Sequence, residues 1–158
     1  MEPINKKITI EYREYPSVEA LADDDRRLME AAIGATATAY APYSHFCVGA
    51  ALLMDDGTIV VGSNQENAAY PSGLCAERTA LFAAGAQHPD RKAVALAIVA
   101  RTPDGTLAEA SPCGACRQVM QETQRRGGQP LRVLMYTDGG RVRIVDNIDN
   151  LLPFSFQF

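Results

Sequence analysis

Two short segments constrain this chain more than any others: Cys75-Ala76-Glu77-Arg78 and, further on, Ser111-Pro112-Cys113-Gly114-Ala115-Cys116. Together they offer three thiolates, from Cys75, Cys113 and Cys116, and one carboxylate, from Glu77, a donor set suited to a catalytic Zn²⁺. A zinc held by three protein ligands keeps its fourth position for water, whereas a purely structural zinc is closed by four. Any fold this chain adopts must therefore bring both segments to one point with their sulfurs ionised.

Local signals say how. Ser111 suits a helix N-cap, Pro112 the first helical position and Gly127 a left-handed stop, which predicts a helix over residues 112–127 with Cys113 and Cys116 as neighbours on its first turn. A second helix is expected to open near Cys75 and stop before Pro89. The thiolates then lie at two helix N-termini, where unpaired N–H groups and the macrodipole favour ionised sulfur.

Residues 23–41 are alanine-rich, with Leu28, Ala31, Ala32, Ala35 and Ala39 at helical spacing and Asp23 to Asp25 at the positive end, predicting a third helix. The apolar runs 46–54 and 58–61 flank Asp55-Asp56-Gly57, a hairpin signal. Residues 94–100 and 131–136 are continuously apolar, as strands covered on both faces are, and 142–145 make a fifth short strand. This order implies a three-layer α/β/α fold around a mixed five-stranded sheet. The 158 residues, 47% hydrophobic, fit a single domain, placed at 23–158 behind an N-terminal extension at 1–22. Within that extension, Ile8 to Tyr12 alternate and suit a short edge strand or a partner-binding arm.

A net charge of -4 argues against a protein that tracks a nucleic-acid backbone. The apolar runs fall far short of the roughly 20 residues that span a bilayer, so no membrane association is expected. The N-terminus lacks the apolar core of a secretory signal, which points to a reducing cytoplasm and to cysteines serving as ligands rather than disulfides.

Three thiolates and Zn²⁺ sum to a single negative charge, which weakens the metal as a Lewis acid. Arg78 is the expected donor to the thiolate sulfurs. Glu77, two residues after Cys75, can face the open position without ligating and carry a proton there.

Cys75-Ala76-Glu77-Arg78 with Pro112-Cys113-Gly114-Ala115-Cys116-Arg117 resembles the zinc nucleoside deaminases. Four further blocks, Ala41-Pro42-Tyr43-Ser44-His45-Phe46, Val48-Gly49-Ala50-Ala51, Asn64-Gln65-Glu66-Asn67-Ala68-Ala69-Tyr70 and Leu151-Leu152-Pro153, are similar to the small homotetrameric cytidine deaminases. The resemblance covers roughly residues 23–156. It implies one Zn²⁺ per subunit and hydrolysis of cytidine and 2′-deoxycytidine to uridine and 2′-deoxyuridine plus ammonia, by zinc hydroxide attack at C4 with Glu77 as proton shuttle. It also implies Phe46 against the pyrimidine, Asn64 and Glu66 on the ribose 3′-hydroxyl, and the Ala76 N–H at the base O2. Ala68, Tyr70 and Phe156 are implied to reach a neighbouring subunit's site. Two departures stand out: Cys47 occupies a position where proline is usual, and Pro71-Ser72-Gly73-Leu74 differs from the commonest variant.

Other readings share parts of the pattern. A deaminase of a modified nucleoside or an aminopyrimidine antibiotic needs the same zinc core. A zinc-stabilised interaction domain without turnover needs a fourth ligand, for which Cys47 is the candidate, and Cys113-Gly114-Ala115-Cys116 alone suits a redox dithiol. His45 and His88 are not expected to ligate, since three cysteines already satisfy the metal.

Overall fold

The computed structural model describes residues 1–158. In chain order its strands are β1 (Arg13–Tyr15), β2 (Cys47–Met54), β3 (Ile59–Ser63), β4 (Ala93–Arg101), β5 (Leu107–Ala108), β6 (Arg132–Tyr136) and β7 (Val142–Val145). Its α-helices are α1 (Asp23–Ala35), α2 (Ala76–Gln87) and α3 (Gly114–Gly127). The strands form one sheet in the order β1-β7-β6-β4-β2-β3, with β5 pairing the end of β4. Only β4 and β6 run parallel; every other pair is antiparallel. None of the helices is long and apolar enough to cross a membrane.

The continuous apolar run of β4 reflects burial on both faces. Ala95, Ala97 and Val99 join Leu28, Met29 and Ala32 of α1 in one core. The alternate residues Leu96, Ile98 and Ala100 join Ala80 and Leu81 of α2 and Met120 of α3 in the other. Successive strand side chains point to opposite faces, so these two sets define the three expected layers. The two faces meet in a sheet whose middle is all but inaccessible to solvent.

The sheet has seven strands, not five. The two unforeseen ones, β1 and β5, are three and two residues long, too short for any hydrophobic period to register. β1 begins one residue beyond the alternating patch at 8–12, and polar groups hold it to β7. Glu14 lies opposite Arg143, whose Nε donates to its carboxylate at 2.8 Å, and Arg13 pairs with Asp146. Hydrophobic patterning cannot report a strand fixed in this way.

Helix α1 is also shorter than expected. It ends at Ala35 and a 3₁₀ turn, Thr36–Thr38, follows. Thr36 and Thr38 donate their hydroxyls to the carbonyls of Ile33 and Ala35, a local alternative to helical continuation. At its other end, Asp25 accepts two hydrogen bonds from Arg132 of β6, at 2.7 and 3.0 Å, docking the helix onto the sheet.

Helix α3 starts two residues later than its sequence signals suggest. Cys113, not Ser111, takes the N-cap position, and the left-handed stop is Gly128, at φ 64°, rather than Gly127. Pro112 thus precedes the cap and lies outside the helix. The expected β2–β3 hairpin forms around Asp55-Asp56-Gly57. On β3, Gly62 lets the sheet approach the start of α2. A Cβ there meets the Ala80 nitrogen at 2.5 Å and the Ala76 oxygen at 2.6 Å, both backbone atoms that cannot yield. Only glycine allows α2 to carry its first turn so close to the sheet.

Candidate metal centre

Three sulfurs converge where α2 and α3 begin. Cys75 is in the N-cap position of α2, Cys113 holds the same position in α3, and Cys116 lies buried one turn further on. Their Sγ atoms all fall within 4.8 Å of one another, and Cys113 and Cys116 are 3.4 Å apart. Tetrahedral zinc with Zn–S bonds of about 2.3 Å needs sulfurs about 3.8 Å apart. The donor set therefore fits the expected metal, and Cys47, at the start of β2, is not part of it.

Helical hydrogen bonds fix the ligand residues. Thr79 N–H donates to the Cys75 carbonyl at 3.0 Å and Arg117 N–H to that of Cys113 at 2.9 Å. Arg117 adds two clamps, donating Nε to the Pro112 carbonyl at 2.8 Å and Nη1 to the Leu151 carbonyl at 2.9 Å. The motif at 112–117 and the block at 151–153 are thereby tied together.

The charges around the sulfurs favour a cation. Arg78 approaches the Cys75 Sγ with Nη2 at 3.6 Å, and its Nε is buried without an acceptor. The Cys75 thiol is held down to about 5, first by a hydrogen bond from Cys116 and then by Arg78. Cys116 is pushed up because it gives that hydrogen bond and because it is buried. The pair shares a proton and titrates as a unit, and a divalent ion displaces such protons on binding.

Glu77 is almost fully buried in the first turn of α2, 3% exposed. Burial is the main cause that pushes its carboxyl up to about 7, and the neighbouring Cys75 charge adds to it. A carboxyl that titrates near neutrality can both accept and release a proton at working pH.

A pocket of about 380 Å³ opens over this centre, walled by Phe46, Asn64, Glu66, Ala76, Glu77 and Glu109 among others. It adjoins a lobe of about 520 Å³, with which it shares Ser44, Asn64, Glu66 and Cys75. Phe46 presents its ring to the pocket while 36% exposed. Ala76, the first residue of α2, has a backbone N–H with no acceptor, as helix starts leave it.

Asn64 and Glu66 line the pocket and also build its rim. The Asn64 Oδ1 accepts from the Val48 N–H at 2.8 Å and its Nδ2 donates to the Phe46 carbonyl at 2.9 Å, clamping the segment that carries Phe46. Glu66 accepts from the N–H groups of Tyr43 and Ser44, at 2.9 and 3.2 Å, and from the Ser44 hydroxyl. The Ser44 hydroxyl is the largest of several contacts that lower its carboxyl below the usual range. His45 turns through φ 54° inside this tied loop and takes no part in the sulfur cluster.

Tyr70 lines the outer lobe but is 80% exposed. Ala68 and Phe156 line neither cavity. Phe156 is 67% exposed, and its carbonyl accepts from Gln118 of α3. Glu109 is the charged pocket residue that the sequence pattern did not single out. Its only signal is that it lies four residues before Cys113, in a stretch with no periodicity.

Comparison with known proteins gives the family. Residues 22–127 match the model of the cytidine and deoxycytidylate deaminase zinc-binding region. The chain is 52% identical over 99 residues to a cytidine deaminase of Halalkalibacterium halodurans, an alignment covering 63% of this chain and 71% of that protein. A cytidine deaminase of Mycobacterium tuberculosis is 46% identical over 99 residues, 63% of this chain and 68% of that one. Among solved structures, the cytidine deaminase of Burkholderia pseudomallei superposes with a TM-score of 0.69 at 44% identity, over 82% of this chain and 97% of that chain. The Mycobacterium tuberculosis structure gives 0.65 at 36% identity, over 84% and 96%.

Proposed function

The chain belongs to the cytidine and deoxycytidylate deaminase family, and we propose that it hydrolyses free cytidine and 2′-deoxycytidine to the uracil nucleosides and ammonia. The observation that carries this reading is a buried carboxyl, Glu77, beside three convergent sulfurs at a pocket of about 380 Å³.

Cys75, Cys113 and Cys116 would hold the zinc, which when bound would supply a Lewis acid that makes water a competent nucleophile near neutral pH. Arg78 draws charge from the Cys75 sulfur and offsets the excess of three thiolates. Glu77 takes a proton from water and delivers it to N3 of the base, and then carries a second proton, from the hydroxyl now on C4, to the departing amino group. Its burial excludes bulk water from that exchange. Phe46 packs against the pyrimidine, and the free N–H of Ala76 donates to O2. Asn64 and Glu66, fixed by the loop they tie, offer their remaining acceptor capacity to the ribose hydroxyls. The highly exposed Tyr70 and Phe156 support a homotetramer in which they and Ala68 complete a neighbour's site. Ligand cysteines free of disulfides support a cytoplasmic setting.

The family includes enzymes named for a nucleoside and for a nucleotide, and charge favours the nucleoside here. Glu66, Glu77 and Glu109 line the cavities, and the one lysine or arginine among the lining residues, Arg78, is committed to Cys75. A phosphate dianion finds no partner there. Cytidine 5′-monophosphate should be deaminated with a kcat/KM at least about a hundredfold below that of cytidine, as uncompensated burial of charge requires. Comparable rates on the two in an ammonia-release assay contradict this assignment.

A further inference from the structure

The N-terminal strand β1 lies outside the family-matched residues 22–127, yet its side chains reach the pocket wall through one arginine. Arg143, on β7, is held from three directions. Glu14 of β1 accepts from its Nε at 2.8 Å, the Tyr12 ring lies beneath its guanidinium at 5.9 Å, and Glu109 faces its Nη1 at 3.7 Å. Arg141 adds a second cation to Glu14 at 3.7 Å, which keeps that carboxylate in place. Glu109 in turn lines the pocket with Ala110, Ser111 and Cys113, on the wall leading into α3. The reacting end of a bound base must lie near the sulfurs and Glu77, so this wall flanks it.

We propose that Glu109 is a specificity-determining residue that accepts a hydrogen bond from the exocyclic amino group of an aminopyrimidine, and that β1 positions it through Glu14 and Arg143. The inference rests on the nucleoside deaminase reading above. Its chemistry is directional. The amino group of the substrate donates, and a carboxylate rewards it. The carbonyl that replaces it in the product only accepts, and a carboxylate repels it. Glu109 thus favours substrate entry and product departure at the same position. Arg143 neutralises part of its charge, approaching Oε1 at 3.7 Å.

The test is a comparison of the KM for cytidine with the inhibition constant of uridine in wild type, Glu109→Gln, Glu14→Gln and the double variant, each checked for an unchanged melting temperature. A glutamine amide can donate to the product carbonyl. Glu109→Gln is therefore expected to raise the KM for cytidine about fivefold while tightening uridine about threefold, the range of one hydrogen bond gained or lost. Glu14→Gln should shift both constants in the same directions by less, and should add nothing on the Glu109→Gln background. General loosening of the pocket cannot move the two constants oppositely. Unchanged constants in Glu109→Gln, or constants that move together, overturn the role of Glu109. A Glu14→Gln effect that persists in full in the double variant overturns the link through Arg143. Wild-type protein that releases no ammonia from cytidine overturns the functional reading itself, an outcome distinguishable from both.

Discussion

Glu77→Gln is expected to lower kcat for cytidine by about 10²- to 10⁴-fold, the loss that follows removal of a positioned proton-transfer group, with zinc content unchanged. The substitution keeps the shape of a side chain that is 3% exposed in the first turn of α2, so packing is preserved. It also removes a source of instability. Burial raises this carboxyl from 4.5 to about 7, so the folded protein holds the proton more tightly than the unfolded chain does. The contribution of that protonated group to stability is therefore complete below about 4.5 and fades as pH rises toward and past 7. A neutral glutamine does not titrate. The metal-free variant should match or exceed metal-free wild type in melting temperature at pH 8, while the zinc-loaded variant is nearly inactive. Full activity in Glu77→Gln contradicts the proton-transfer role.

Cys113→Ala should have the second-largest effect, on metal and fold together. Cys113 caps α3 and supplies one of the three sulfurs, so its loss leaves an incomplete site at the meeting of two helix N-termini. Zinc present a thousandfold above its dissociation constant stabilises a protein by about 4 kcal/mol, and a variant that no longer binds it forgoes that amount. For a chain of this size the expected fall in melting temperature is about 8–16 °C. Wild type treated with a chelator should fall to a similar temperature, and Cys113→Ala should then respond little to the chelator. Cys47→Ala is the matched control. Because Cys47 lies outside the sulfur cluster, zinc stoichiometry should be untouched, whereas loss of zinc in that variant would restore the four-cysteine reading. Metal content by atomic spectroscopy and melting by circular dichroism check all of these.

The parts of this site legible in the sequence are those whose chemistry depends on residue type at short spacing. Cys113-x-x-Cys116 announces itself because one helix turn brings i and i+3 together whatever the rest of the fold does, and Cys75-x-Glu77 because a thiol and a carboxylate stand together at a helix start. The apolar strands were legible for a similar reason, since burial on both faces of β4 keeps residues 93–100 apolar, up to the Arg101 at its end. The missed features depend on partners distant in the chain. β1 is held by Arg143 and Asp146, more than a hundred residues away, and shows no hydrophobic pattern of its own. Glu109 acquires meaning only through that same Arg143 and through the pocket it borders.

The capping of α3 fails for an instructive reason. Ser111, Pro112 and Gly127 are each good local signals, yet the metal site needs Cys113 at the N-cap position so that its sulfur projects toward Cys75 and Cys116. A consecutive Gly127-Gly128 pair then offers two possible stops, and the chain uses the second. The roles of Asn64 and Glu66 were only half legible. Their side chains are engaged with the backbone at residues 43–48, so they shape the pocket rim as well as facing into it. Such double use arises from where the loops fold back and is invisible in a linear pattern.

On the function proposed here, three cysteines and Glu77 make this chain a metal-dependent hydrolase of free cytidine. The measurement that tests it most directly is the release of ammonia and uridine from cytidine by zinc-replete protein, by the same protein after exhaustive chelation, and after zinc is returned. Turnover is expected in the first sample, its loss in the second and recovery in the third. No turnover in zinc-replete, folded protein, or turnover that survives complete removal of the metal, contradicts it.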